Sequence, residues 1–236
     1  TSKPAARRHI ELLIGIGEAE RQSGVAAHSE HLLDAAERAD AIDAVDLLVR
    51  AVLANNRGFF SAFGGVDDER IAAIDRALVR VPDTAHGERA QLLALLTAER
   101  TYSIALEERV ALAEEAIACA RASNEPNDLV TVAQRLFQPL FHPSTLPLRA
   151  AWNDEAIGLA AAADPVTEFF LRTDAAFVAL ERADGTAIDR STEAAGVIAA
   201  RVPQTTIHWM ALYNSAWVSG LRGDLASFEQ RAEAAL

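Results

Sequence analysis

Few side chains in this sequence have the type and spacing that chemistry requires. His28 and His31 are three residues apart, so on a helix they could share a metal ion, and Asp34 follows one turn later. A working site needs three or four converging ligands held by further hydrogen bonds, which favours two exposed histidines over a metal site. The only cysteine, Cys119, lies in the alanine-rich run 116–120. We interpret it as a small buried hydrophobe rather than as a nucleophile.

Signatures of nucleotide binding and hydrolysis are incomplete. Gly15 and Gly17 begin like a dinucleotide-binding turn, but they lie inside a helical pattern, and Glu20 stands where the third glycine is expected. A phosphate-binding loop needs a lysine after its second glycine, and Lys3 is the only lysine of the chain. We therefore predict no catalytic residue, no metal ligand and no cofactor, and we keep an all-α enzyme as the less favoured alternative.

Composition places the chain among ordinary globular proteins. Hydrophobic residues make up 50% and charged residues 24% of its 236 residues. No apolar run reaches the roughly 18 residues of a membrane span, and neither end has a signal-peptide pattern. With one cysteine there is no internal disulfide framework. The expected location is the cytoplasm, without membrane contact.

The charge balance bears on the class of partner. The formal net charge is −12, and the basic residues are scattered along the chain. A nucleic-acid surface needs lysine and arginine clustered on one face. We therefore expect no nucleic-acid binding through this chain.

Apolar residues recur along the chain with the periodicity of helices, the elements that must position any site. Ile10, Leu13, Ile14 and Gly17 follow the spacing of one helix face, and similar faces recur along the chain without strand-like alternation. The pattern predicts an all-α protein, an α-solenoid of about six antiparallel helix pairs wound as a tetratricopeptide-like right-handed superhelix. The expected pairs are 6–23 with 27–39, 42–63 with 67–81, 87–102 with 106–122, 125–142 with 148–163, 164–201 with its turn at 184–185, and 205–221 with its turn at 223–224.

The two ends of the sequence suggest a piece of a longer array. The chain begins at Thr1 rather than at methionine, and it stops at Leu236 within a repeat. We expect one helical-repeat domain over 1–236 that belongs to a longer protein. An uncovered last repeat also predicts that a homodimer could form.

Two of the pairs resemble the tetratricopeptide repeat, in which small residues let the helices of a hairpin pack closely. The residues at the leucine, small and turn positions are Leu13, Ile16, Gly17 and Gly24 in the first pair and Leu212, Ala216, Gly223 and Ala235 in the sixth. The aromatic residue expected before the turn is absent, and the period of about 40 residues exceeds the standard 34.

Two further stretches resemble a more specific group. The run 54–61 (Ala-Asn-Asn-Arg-Gly-Phe-Phe-Ser) with 65–67, and the run 142–146 (His-Pro-Ser-Thr-Leu), are similar to the helical region of large actinobacterial regulators. Those proteins couple a signal-transduction ATPase to a LuxR-type DNA-binding end. The resemblance implies a sensor or interaction region without catalytic residues, and it assigns ATPase and DNA-binding functions to other parts of such a regulator.

Candidate binding residues are the polar and aromatic residues on the first helix of each pair, which lines the concave face of a solenoid. They are Asn55, Asn56, Arg57, Arg135, Gln138, Asp174, Trp209, Tyr213 and Trp217. An internal hydrogen-bond network that fixes helix stacking is the alternative for 55–57, and core packing is the alternative for the aromatic residues.

These observations predict a non-catalytic sensor or protein-interaction module of a larger cytoplasmic transcription regulator. The expected partner is a protein, another domain of the same chain or a small-molecule effector held in the concave groove. A passive scaffold that docks peptides or proteins is the main alternative.

Overall fold

The computed structural model describes residues 3–56, 65–160 and 164–235, and all regular structure within these ranges is helical. The all-α expectation is confirmed. The α-helices are α1 (Lys3–Gln22), α2 (His28–Ala41), α3 (Val45–Ala54), α4 (Asp68–Arg80), α5 (His86–Glu99), α6 (Leu106–Ala122), α7 (Pro126–Phe137), α8 (Leu146–Gly158), α9 (Pro165–Glu181), α10 (Gly185–Ala199), α11 (Thr205–Leu221) and α12 (Leu225–Ala234), and a 3₁₀ turn occupies Pro143–Thr145.

Aspartate side chains begin four of these helices. Asp67 accepts a hydrogen bond from the backbone N–H of Arg70 at 3.0 Å, and Asp164 accepts from Val166 at 2.9 Å. The caps of α10 and α12 are Asp184 and Asp224. A carboxylate there satisfies an unpaired backbone donor and faces the positive end of the helix dipole. The predicted helix starts at 67–68 and 164–165 are confirmed.

Several predicted helices end earlier than their sequence patterns indicate: 87–102 ends at Glu99, 125–142 at Phe137 and 148–163 at Gly158, and the helix expected over 42–63 shows the largest difference. The expected helix over 42–63 ends at Ala54, and the side-chain amide of Asn56 donates to the carbonyl of Leu53 at 3.0 Å. Asparagine competes for backbone groups in this way and favours helix ends over helix interiors. Asn55 and Asn56 therefore follow a helix rather than lie on it. Residues 57–64, including Arg57, lie outside the described residues.

The chain divides into two compact units, Thr1–Asp128 and Leu129–Leu236. Within each unit the helices mostly contact those one or two positions away along the chain, for example α1 with α2 and α9 with α10. Fully buried aliphatic residues, including Ile14, Leu32, Leu48 and Ile74, fill the core of the first unit. None of the helices in the described part of the chain combines the length and apolar character that a bilayer span requires.

Gly17 of α1 lies close against a side chain of α2, and alanine there is expected to destabilise the protein. A Cβ atom on Gly17 would lie 2.5 Å from Cγ of Leu32, a buried side chain of α2. Overpacking of this kind costs about 1–3 kcal/mol. Urea unfolding of Gly17→Ala measures the loss.

Gly15→Ala is the matched control on the same helix. A Cβ atom on Gly15 meets nothing within 4 Å, so alanine is expected to stabilise α1 by about 0.5–1 kcal/mol. Equal effects of the two substitutions would contradict the close approach at Gly17.

Candidate functional site

A ladder of four aromatic rings crosses the second unit. Phe137 at the end of α7 lies 6.1 Å from Phe141, measured between ring centroids, and Phe141 lies 6.1 Å edge-on from Phe177 of α9. Phe177 stacks on Trp217 of α11 at 6.0 Å. Phe137 is buried, Phe177 and Trp217 are half-buried, and Phe141 is exposed. The ladder thus joins three segments of the unit, and Phe141 is its most exposed ring.

Two further aromatic residues lie on α11, the helix that carries Trp217. Trp209 and Tyr213 are one turn apart and stack at 5.5 Å, and they expose 38% and 54% of their surface. Trp217 follows one turn later. No Asp, Glu, Lys or Arg occurs in α11. We define the aromatic face as Phe141, Phe177, Trp209, Tyr213 and Trp217.

Arg149 of α8 supports the ladder from inside the unit. Its side chain is fully buried, and its guanidinium lies 5.0 Å from the ring centroid of Phe137 and 4.8 Å from that of Phe141. Nη2 donates to both carboxylate oxygens of Glu181 in α9 at 2.9 Å. The buried cation is thereby neutralised while it also makes cation–π contacts with two rings of the ladder.

The turn at 142–146 supplies two further acceptors for Arg149, although Nη1 has no hydrogen-bond partner among the described residues. Arg149 Nε donates to the hydroxyl of Thr145, and Nη2 donates to the carbonyl of His142, each at 3.3 Å. His142 Nδ1 accepts from the backbone N–H of Ser144, and the hydroxyl of Thr145 donates to the carbonyl of Leu140. The run 142–146 is therefore, in this structure, the turn that holds a buried arginine.

Asp174 of α9 is fully buried, and neither of its carboxylate oxygens has a hydrogen-bond partner among the described residues. Burial raises the pKa of Asp174 well above its ordinary value, while the positive charge of Arg149 lowers it by a smaller amount. The environment therefore favours the protonated, neutral carboxyl group. Asp174 lies beneath the surface rather than on a groove wall.

A short chain of polar contacts links α9 to the aromatic face. The side-chain amide of Asn214 donates to the hydroxyl of Thr173 at 3.4 Å. The indole N–H of Trp217 donates to the side-chain oxygen of Asn214 at 3.2 Å. Asn214 and Thr173 are buried, so these contacts fix the orientation of the Trp217 ring.

Asn55, one of the candidates in the first unit, borders a small internal void. Asn55 is buried, and its side-chain oxygen has no hydrogen-bond partner among the described residues. With Arg70 and apolar side chains it lines a void of about 10 Å³, which is the size of one water molecule. Arg70 is ion-paired with Asp67 at 3.5 Å and lies 3.9 Å from Glu99. This arrangement is an internal polar cluster.

Arg135 and Gln138 are half-buried, the first on α7 and the second just after it. The structure thus distributes the sequence candidates over both units. It brings together Trp209, Tyr213 and Trp217, whereas Asn55 and Asn56 belong to the first unit.

The structure also shows the surroundings of the two histidines considered as metal ligands and of the cysteine considered as a nucleophile. His31 Nδ1 lies 2.7 Å from a carboxylate oxygen of Glu20, and His28 Nδ1 lies 2.8 Å from the carbonyl of Val25. Across 3–56, 65–160 and 164–235, no group of three or more His, Cys, Asp or Glu side chains could hold a metal ion. Burial, with a contribution from Glu115, raises the pKa of the Cys119 thiol, which opposes formation of a nucleophilic thiolate.

Sequence reasoning missed Arg149, Phe141 and Phe177. An arginine inside the apolar stretch 146–152 was the available signal, because an arginine there needs a specific partner. That partner, Glu181, is 32 residues away along the chain, so local spacing could not identify it.

No protein-family model matches the sequence, and no curated protein matches it either.

Proposed function

We propose that the chain is a non-catalytic interaction module of a larger cytoplasmic regulator and that it docks a protein segment on its aromatic face. The observation that carries the proposal is the stacked, exposed pair Trp209 and Tyr213 on a helix without charged residues. Tryptophan and tyrosine are enriched at protein interfaces because they bury large areas at little cost in conformational entropy.

The contacts behind the face support a binding role. Trp217 is held by Asn214, and Phe141 is held by Arg149, so both rings are fixed before a partner arrives. A surface whose side chains are already ordered loses less entropy on binding, which favours affinity. The nearest buried charges are an internally paired Arg149 and an Asp174 that favours its neutral form, so an apolar partner segment is favoured over a strongly charged one.

The second candidate function is that of a sensor that binds a small molecule. The exposure of Trp209 and Tyr213 supports macromolecular docking, because ligand sites usually enclose most of the ligand surface. We also propose that the helices of each unit stack as antiparallel pairs of a tetratricopeptide-like α-solenoid, which fits the predominance of contacts between helices close in sequence.

Selection from a displayed random-peptide library tests the docking surface. Peptides rich in apolar and aromatic residues are expected to bind the wild-type protein. Trp209→Ala combined with Tyr213→Ala is expected to weaken them roughly tenfold or more, since interface aromatics act as hot spots. Isothermal titration calorimetry with the selected peptides measures the change.

Val79→Ala is the matched control, because Val79 is an exposed apolar residue of α4 in the first unit. It is expected to leave peptide affinity unchanged. Peptides that bind the double variant as tightly as the wild type would reject the aromatic face as the docking surface. A small molecule retained in native mass spectrometry and lost in the double variant would favour the sensor.

A further inference from the structure

The void beside Asn55 lies where side chains of α2, α3, α4 and α5 meet in the first unit. Its volume is about 10 Å³, and most of its walls are apolar side chains, including Ala36, Ala73 and Leu95. Among the described residues that line it, Asn55 and Arg70 are the polar members. One water molecule needs roughly 10–15 Å³, so the void matches water and excludes any larger ligand.

Asn55 contributes a hydrogen-bond acceptor to this void. The residue is buried, and its side-chain oxygen has no hydrogen-bond partner among the described residues. Its position is fixed because Asn55 ends α3, where its backbone N–H donates to the carbonyl of Ala51. Nearly all buried polar groups in folded proteins bond to the protein or to ordered water, because burial without a hydrogen bond costs free energy. The Asn55 oxygen therefore points to a bound donor.

Arg70 brings hydrogen-bond donors to the same void from the first turn of α4. Its side chain is 9% exposed, and it lies 3.5 Å from a carboxylate oxygen of Asp67 and 3.9 Å from one of Glu99. A guanidinium carries five N–H donors, so it can serve these carboxylates and a further acceptor together. Because the two acids already balance its charge, the void favours a neutral ligand over an anion.

We propose that one internal water molecule binds in this void, accepts a hydrogen bond from Arg70 and donates one to the side-chain oxygen of Asn55. Water suits this pair because it donates and accepts hydrogen bonds at the same time, whereas a void lined by apolar groups alone stays dry. The bound water links the end of α3 to the first turn of α4. The site belongs to the first unit, so it does not depend on docking at the aromatic face.

Magnetisation transfer from water to methyl protons tests the site in the wild-type protein. The methyl groups of Ala36 and Ala73 line the void and are buried, so bulk water does not reach them. Methyl protons do not exchange with solvent, so a rotating-frame Overhauser cross-peak with water reports a bound molecule. We expect such cross-peaks at both methyl groups. Ala35 and Ala77 are the matched controls on the same helices, because both are buried outside the void, and no water cross-peak is expected there.

The substitution Asn55→Leu tests whether Asn55 holds the water. Leucine removes the acceptor and adds apolar volume beside the void, so the cross-peaks at Ala36 and Ala73 are expected to disappear. Asn56→Leu makes the same change at the next residue, which does not line the void, and is expected to keep both cross-peaks.

Two outcomes would overturn the proposal. The first is a wild-type protein without water cross-peaks at Ala36 and Ala73, because the void is then dry. The second is a pair of cross-peaks that persists in Asn55→Leu, because the water is then held without Asn55. If Asn55→Leu fails to fold, the wild-type measurement with its two control alanines decides the question by itself.

Discussion

Replacement of Arg149 by methionine is expected to lower the free energy of unfolding by about 3 kcal/mol. Removal of one partner of a buried ion pair typically costs 3–5 kcal/mol, because the other charge is left buried and unpaired. Glu181 retains 19% exposure of its side chain, which places the expected value at the lower end of that range. The substitution also removes the cation–π contacts with Phe137 and Phe141. Urea unfolding monitored by circular dichroism measures the loss.

Arg222→Met is the matched control. Arg222 forms an ion pair with Asp189 in which both side chains are about half exposed, so its loss is expected to cost about 0–1 kcal/mol. Arg149→Met with Glu181→Met is expected to recover part of the stability, because no charge is then left unpaired. A loss at Arg149 no larger than that at Arg222 would contradict the role we assign to the buried arginine.

The substitution Asp174→Asn is expected to stabilise the protein increasingly as the pH rises above about 4. Burial raises the pKa of Asp174 in the folded state, whereas the unfolded chain ionises near 3.8. Below that value the carboxyl is protonated in both the folded and the unfolded state, so its ionisation does not change the free energy of unfolding. Above it the unfolded state loses its proton first, so stability falls by up to about 1.4 kcal/mol per pH unit until the folded-state pKa is reached.

Asparagine has nearly the same shape and no titration, so the difference between variant and wild type isolates this effect. Unfolding free energies of both proteins between about pH 4 and about pH 7 provide the measurement. Asp224→Asn is the control of opposite sign. Hydrogen bonds from Ser227 lower the pKa of Asp224, so its contribution is present above the ordinary pKa and is lost on acidification. A stability difference at position 174 that does not change with pH would contradict a buried, preferentially neutral carboxyl.

Both predictions concern groups that lie behind the aromatic face. Arg149 contacts Phe141, and Asp174 is the chain neighbour of Thr173, which accepts the hydrogen bond from Asn214. Peptide binding by Arg149→Met therefore distinguishes a role of Arg149 in stability alone from an additional role in positioning the ladder. If Arg149 positions the ladder, affinity falls under conditions in which the variant is still folded.

The sequence by itself determined the helical character of the chain and most helix limits. The expected ranges 106–122 and 205–221 coincide with α6 and α11, and Asp164 begins α9 as its spacing before Pro165 indicates. These features depend on hydrogen bonds and periodicity within a few residues, so they can be read locally. The stacking of Trp209 and Tyr213 is local in the same sense, since the two residues are one helical turn apart.

Only the tertiary structure decided which polar residues are buried and what they contact. Asp174 is buried inside the second unit, Asn55 borders a water-sized void, and Arg149, which the sequence analysis did not select, contacts two rings of the ladder. The reason is that burial and ion pairing join residues far apart along the chain. Arg149 and Glu181 are separated by 32 positions, and Asn214 and Thr173 by 41. Helical periodicity places each residue on its own helix face, but the packing of other helices determines whether that face meets solvent, an aromatic ring or an opposite charge.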